Sequence, residues 1–194
     1  WAIPIIAIAF PLMFSSNDRT KNFSEFLIGF AILFMGLDAL KHSVPDVNQI
    51  QGIHEFIGSL NEYGFLSLII FILIGTLLTI IVQSSSAAIA LTLTLCAKGI
   101  IGFENAAAIV LGENIGTTVT ANLAALVGNV HAKRAARAHL LFNLMGVFWM
   151  IFAFPFFINL IDDFMLGFTG NSPLNVSSTS PNHIETVNWG LTLF

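Results

Sequence analysis

Charge is what this sequence has least of. Of its 194 residues, 9% are Asp, Glu, Lys or Arg and 56% are hydrophobic, with a mean hydropathy of +0.85. Soluble domains carry about 25% charged residues, so the chain reads as an integral membrane protein. The 7 basic and 11 acidic residues build no basic patch, which excludes nucleic acid as a partner. The one cysteine, Cys96, leaves no internal disulfide, and neither Cys nor His stands at metal-ligand spacing from it. No nucleophile–base pair or metal cluster falls at membrane depth, which argues against an enzyme and points to no cofactor. A start Met and a signal-peptide pattern are also missing. The chain opens on Trp1 and stops at Phe194, each inside an apolar run, so it reads as a fragment.

What is present is a series of apolar segments. Trp1 to Phe14 is short for a span. Phe23 to Leu40 is a full span, in which Gly29 and Gly36 would let a neighbouring helix approach. Lys41 to Glu62 is a polar connection with a surface helix over Val47 to Leu60. Gly64 to Val82 is continuously apolar. Ala87 to Ile101 covers roughly 22 Å, short of the ~30 Å hydrocarbon core. Phe103 to Leu111 and Thr117 to Val127 are shorter still. Ala138 to Ile161 is another full span, Asp162 to Asn182 reads as a loop, and a helix begins near His183.

Two polar knots interrupt this series: Gln83-Ser84-Ser85-Ser86 and Gly112-Glu113-Asn114-Ile115-Gly116-Thr117-Thr118. Polar backbone at membrane depth survives only against protein or a water-filled cavity, since an unpaired group there costs several kcal/mol. The expectation is a re-entrant hairpin with Gln83 to Ser86 at its tip, and a crossing broken at Gly112 to Gly116. Gly75, Gly112 and Gly116 would supply the backbone freedom. Interrupted spans are the best pointer from sequence to a transporter site. Five of the seven basic residues, Arg19, Lys21, Lys133, Arg134 and Arg137, fall on one side of this topology, which the positive-inside rule makes cytoplasmic. Two full crossings over Gly64 to Ile101 give the same parity.

Helices that begin inside the membrane present free N–H groups and a positive dipole end. Ser84, Ser85 and Ser86 would cap one such helix, and Asn114 and Thr117 another. Together they form an anion site that needs no Lys or Arg. Carbonyls near Val82 and Leu111, with Gln83, Asn114 and hydroxyls, suit Na⁺. The alternative is that these hydroxyls bond back to their own helices. Glu113 is the one carboxylate inside a predicted crossing, either functional or a hydrogen-bonded structural group. Thr76, Thr79, Thr92 and Thr94 either line the path or pack. His139 with Asn143, and Asp38 with Lys41 or His42, stand at helix-pair spacing and read as local contacts.

At these residues the chain resembles the bacterial branch of the type II sodium–phosphate cotransporter family. The matching stretches are Gln83-Ser-Ser-Ser-Ala87, Gly112-Glu-Asn-Ile-Gly-Thr-Thr-Val-Thr-Ala121 and Lys133-Arg-Ala-Ala-Arg-Ala-His-Leu-Leu-Phe-Asn143. The resemblance implies two inverted repeats, each with a QSSS hairpin and a broken helix, of which this is the second. It implies phosphate ligands at Ser84, Ser85, Ser86, Thr117 and Thr118, and sodium ligands at Gln83, Ser85, Asn114 and Thr118. Glu113 joins the sodium set only as a candidate from its position, because many relatives have Ala there. The other half of each site would come from the first repeat. That repeat, and any cytoplasmic regulatory domain, would lie outside these residues.

The reading is an all-α inverted-repeat transporter half in the cytoplasmic membrane, moving inorganic phosphate inward with Na⁺. Its partners would be those two ions, the lipid bilayer and the first repeat. Alternatives are a sodium-coupled carrier of another small anion, or an ion channel, whose pore more often shows a charged ring or carbonyl filter.

Overall fold

The computed structural model describes residues 2–44, 51–176 and 180–194. Among them are eight α-helices and no strand. The chain divides into two compact units, Trp1–Val44 and Pro45–Phe194.

The first unit is a helix pair, α1 (Ala2–Leu12) and α2 (Asp18–Ser43). Asn17 caps α2, its side chain accepting from the Arg19 N–H, which satisfies one of the free donors of a helix start. Buried Ser24 donates to the Ala9 carbonyl at 2.6 Å and ties the pair together. Gly29 and Gly36 make no close helix contact: a Cβ on either would meet open space. At the end of α2, exposed His42 bonds through Nδ1 to the Asp38 carbonyl at 2.8 Å, and lies 3.6 Å from its carboxylate.

The second unit holds α3 (Gln51–Asn61), α4 (Phe65–Val82), α5 (Ser85–Ala97), α6 (Phe103–Ala125), α7 (Val130–Thr169) and α8 (His183–Leu193). The surface helix expected over Val47 to Leu60 is α3; its expected start falls outside the described residues. By length and composition α2, α4 and α7 can each cross a membrane. The protein is an all-helical membrane protein.

Two expectations are corrected. The crossing expected to break at Gly112 to Gly116 is one continuous helix, α6. Its glycines are there for contact with α4 rather than for a break. A Cβ on Gly112 would stand 1.9 Å from the Ile72 carbonyl oxygen, and one on Gly75 2.0 Å from that of Ile109. Gly116 meets Thr76 and Thr79. Gly75 meets Ile109, Thr76 meets Gly112 and Thr79 meets Gly116, so the two helices run in the same direction. Thr76 joins the backbones, its hydroxyl donating to the Ile72 carbonyl at 2.9 Å and the Gly112 carbonyl at 3.0 Å. Small residues at a helix interface allow this approach.

The second correction concerns α7. It begins before the expected span and runs past it, through the basic residues and through Asp162. Forty residues reach about 60 Å, twice the hydrocarbon core, so the helix is longer than one crossing needs. Asn129 caps its start, accepting from the Ala132 N–H, and Gly170 at φ 72° ends it. Asp162 accepts from the Ser172 hydroxyl and the Leu174 N–H, which folds the following segment back on the helix. Lys133 and Arg134 lie close to the helix N-terminus, the end where the dipole disfavours cations. The helix α6 is the centre of the unit, packed by α4, α5, α7 and α8.

Candidate functional site

The first polar knot is a helix–turn–helix tip. Gln83 ends α4 in the left-handed region, at φ 56° and ψ 21°, with its N–H donating to the Thr79 carbonyl at 2.8 Å. It is the one non-glycine with positive φ among the described residues. Such a conformation costs a residue with a Cβ about 1–3 kcal/mol and clusters at functional sites. Ser84 is extended and caps α5, accepting from the Ala87 N–H at 3.3 Å. The helix starts at Ser85, two residues before the expected Ala87. Gln83, Ser84 and Ser86 are exposed and Ser85 is half-buried. Exposed apolar side chains precede them, Ile81 at 77% and Val82 at 38%. A polar tip thus stands on an apolar stem.

The second knot differs from expectation because α6 does not break. Asn114 and Thr117 lie mid-helix and cap nothing, and Leu111 presents no helix-end carbonyls. The Thr117 hydroxyl donates to the Glu113 carbonyl at 2.9 Å. That of Thr118 donates to the Ile115 carbonyl at 2.7 Å, and Thr118 is fully buried. The alternative of back-bonding within the helix therefore holds for both threonines. Asn114 is exposed.

Glu113 is 1% exposed. Its Oε1 accepts from the Thr92 hydroxyl of α5 at 2.7 Å, and its Oε2 is buried with no hydrogen-bond partner among the described residues. Thr92, which the sequence left between path and packing, is therefore a positioning partner of this carboxyl. No local signal showed it, because the pair is 21 residues apart in the chain. Thr92 lies seven positions along α5 from Ser85, about 10 Å at 1.5 Å per residue. Of the eight positions expected around sodium and phosphate, Gln83 to Ser86 thus form the tip, Glu113 and Thr118 lie in the packed interior, and on α6 Asn114 is exposed and Thr117 half-buried. An ionised carboxylate taken out of water costs several kcal/mol, and one hydrogen bond to a charged group returns about 1.5–3 kcal/mol.

Two further contacts frame the site. Asn122 donates to the Thr118 carbonyl at 2.9 Å and to the Ala136 carbonyl at 2.8 Å, locking α6 to α7. His183 on α8 bonds through Nε2 to the Cys96 carbonyl at the far end of α5, at 3.1 Å. Asn143 donates to the His139 carbonyl on its own helix, a local contact as expected.

The comparisons with known proteins give the family of this membrane helix bundle. The family described as Na⁺/Pi-cotransporter matches residues 56–170, and the chain belongs to it. The uncharacterized protein YqeW of Bacillus subtilis is 34% identical over 147 residues, covering 76% of this chain and 46% of that protein. The protein of Salmonella typhimurium named "Putative inorganic phosphate export protein YjbB" is 31% identical over 169 residues, covering 86% of this chain and 30% of its own length. The mouse sodium-dependent phosphate transport protein 2C is 43% identical over 89 residues, covering 44% of this chain and 15% of its own. The chain spans less than half the length of these curated relatives. No solved structure matches it.

Proposed function

We propose that the protein carrying this chain moves inorganic phosphate across the cytoplasmic membrane together with Na⁺, and that these residues form one of two inverted repeats of its transport core. The observation that carries the reading is the tip of the α4–α5 pair. A strained left-handed Gln83 and three serines open a helix at the end of an apolar stem. On this reading the pair is a re-entrant hairpin, because thirteen residues in α5 reach only about 20 Å. Ser84, Ser85 and Ser86, with the free N–H groups of the first turn of α5, receive the phosphate oxygens. The Gln83 side chain, the α4 carbonyl end and Asn114 supply oxygens to Na⁺. Thr117 stands at the rim, while Thr118 and Glu113 belong to the packed interior in this arrangement and are left out of the ligand set. Holding anion and cation at one tip couples their movement.

Labelled phosphate uptake into vesicles containing the intact protein tests this. Uptake should need an inward Na⁺ gradient and stop when K⁺ replaces Na⁺. Uptake indifferent to Na⁺ would sink the cotransport reading. The printed name of the Salmonella relative favours a second reading, outward movement of phosphate. Vesicles preloaded with phosphate separate the two: efflux driven by an outward Na⁺ gradient alone, with no uptake under the reverse gradient, would assign export.

A further inference from the structure

We propose that the cleft between the end of α6 and the start of α7 binds an anionic phospholipid, with the headgroup phosphate between Lys133 and Arg137. The case is independent of the proposed transport cycle and rests on the chain being a membrane protein. The cleft has a volume of about 130 Å³ and is lined by Asn122, Ala125 and Leu126 on the α6 side and by Lys133 and Arg137 on α7. That is the scale of one phosphate group, not of a whole lipid.

The walls of the cleft are held in place. Lys133 and Arg137 are i and i+4, so they share one face of α7. Ala136 stands between them in the chain, and its carbonyl accepts from the Asn122 side chain at 2.8 Å. The same amide donates to the Thr118 carbonyl at 2.9 Å. Both amide hydrogens are thereby used, so Asn122 fixes the floor and leaves the two cations as the donors. The turn between the helices is tight: a Cβ on Gly128 would stand 2.9 Å from that of Ala132.

The charge in the cleft is unbalanced. From Asn114 to Ile161 the chain has no acidic residue. Among the described residues, Lys133, Arg134 and Arg137 make no ion pair or hydrogen bond through their side chains. Like charges at i and i+4 disfavour a helix, and Lys133 also lies near the end where the dipole disfavours a cation. The positive-inside rule asks for basic residues in this stretch. It does not ask for two of them on one helix face around a cleft. An anion seated there offsets both unfavourable terms.

The surroundings of the cleft select a lipid over free phosphate. Leu126 in its wall is 66% exposed, and Leu123, Val127 and Val130 near it in the chain are 56%, 96% and 59% exposed. Past Arg137, α7 turns apolar, with Leu141 and Phe142 exposed. The cations therefore stand at the border of water and hydrocarbon, where basic pockets between membrane helices take lipid headgroups. Inorganic phosphate would fill the cleft and leave the apolar surface bare, whereas acyl chains cover it. A zwitterionic headgroup fits less well, because its own ammonium group cancels much of the attraction to two cations.

Native mass spectrometry of the intact protein, delipidated in detergent and given phosphatidylglycerol or phosphatidylethanolamine in turn, tests the proposal. Wild type should hold one phosphatidylglycerol more tightly than phosphatidylethanolamine. Lys133→Gln combined with Arg137→Gln should weaken phosphatidylglycerol binding about 30-fold, and Arg137→Gln alone about fivefold. Arg137 is exposed, so the single variant decides the matter if the double one fails to fold. Arg134→Gln removes the same charge from the same helix outside the cleft and should leave binding unchanged. Inorganic phosphate should not displace the lipid. Equal binding of the two lipids, no loss in the Arg137→Gln variants, or an equal loss in Arg134→Gln would each overturn the proposal, the last by reducing it to diffuse surface charge. Displacement by inorganic phosphate would overturn it as well and assign the cleft to the free ion.

Discussion

Substituting Gly112 by Ala puts the α4–α6 contact to a direct test. The added methyl would stand 1.9 Å from the Ile72 carbonyl oxygen and 2.8 Å from the Thr76 nitrogen. Ordinary contact begins at 3.4 Å, so the helices must separate locally by about 1.5 Å, or one of them must turn. Both neighbours are backbone, so no flexible side chain can move aside. Overpacking of this kind costs about 1–3 kcal/mol. Separation also breaks the 3.0 Å bond from Thr76 to the Gly112 carbonyl, worth about 0.5–1.5 kcal/mol. The expected loss is about 2–4 kcal/mol, or about 4–16 °C in melting temperature at 2–4 °C per kcal/mol for a chain of this size. Thermal unfolding of the intact protein in detergent measures it. Gly146→Ala on α7 is the control, because its methyl meets open space. It should hold stability or raise it by up to about 1 kcal/mol through helix propensity. Equal melting of Gly112→Ala and wild type would refute the close contact.

Ser84→Ala removes the α5 cap and should lower stability by about 1 kcal/mol. On the proposed function it should also weaken apparent phosphate affinity, whereas Ser59→Ala on exposed α3 should not, as paired uptake and melting curves will show. Thr92→Val leaves the Glu113 carboxyl without its donor and should lower stability by about 1–3 kcal/mol, read by the same melting assay; unchanged melting would mean the hydrogen bond contributes nothing. A cysteine placed at Ala132 should react with an impermeant reagent only from the cytoplasm, and one at Asn171 only from outside, since they lie at opposite ends of the long α7. Native Cys96 is buried and should give no background. Labelling of both probes from one side would reverse the assigned topology.

Much of this protein was legible in the sequence because hydrophobic cost is a local quantity. Scarce charge and long apolar runs marked the membrane class, and Ser84 was readable as a cap because a hydroxyl before a helix serves its own first turn. The family motifs around Gln83 and Gly112 carried the resemblance. Which residues meet across helices was not legible. Glycines at 75, 112 and 116 are compatible with a broken helix and with close packing alike. Only the position of α4 decided for packing, because a neighbouring backbone occupies the volume of the missing side chains. The same holds for Thr92 and Glu113. Each alone is an ordinary polar residue in an apolar run, and the three-dimensional course of the chain makes them partners by bringing α5 against α6. Composition thus determined the solvent this chain lives in, and tertiary structure decided which polar groups in it are exposed and which are sealed.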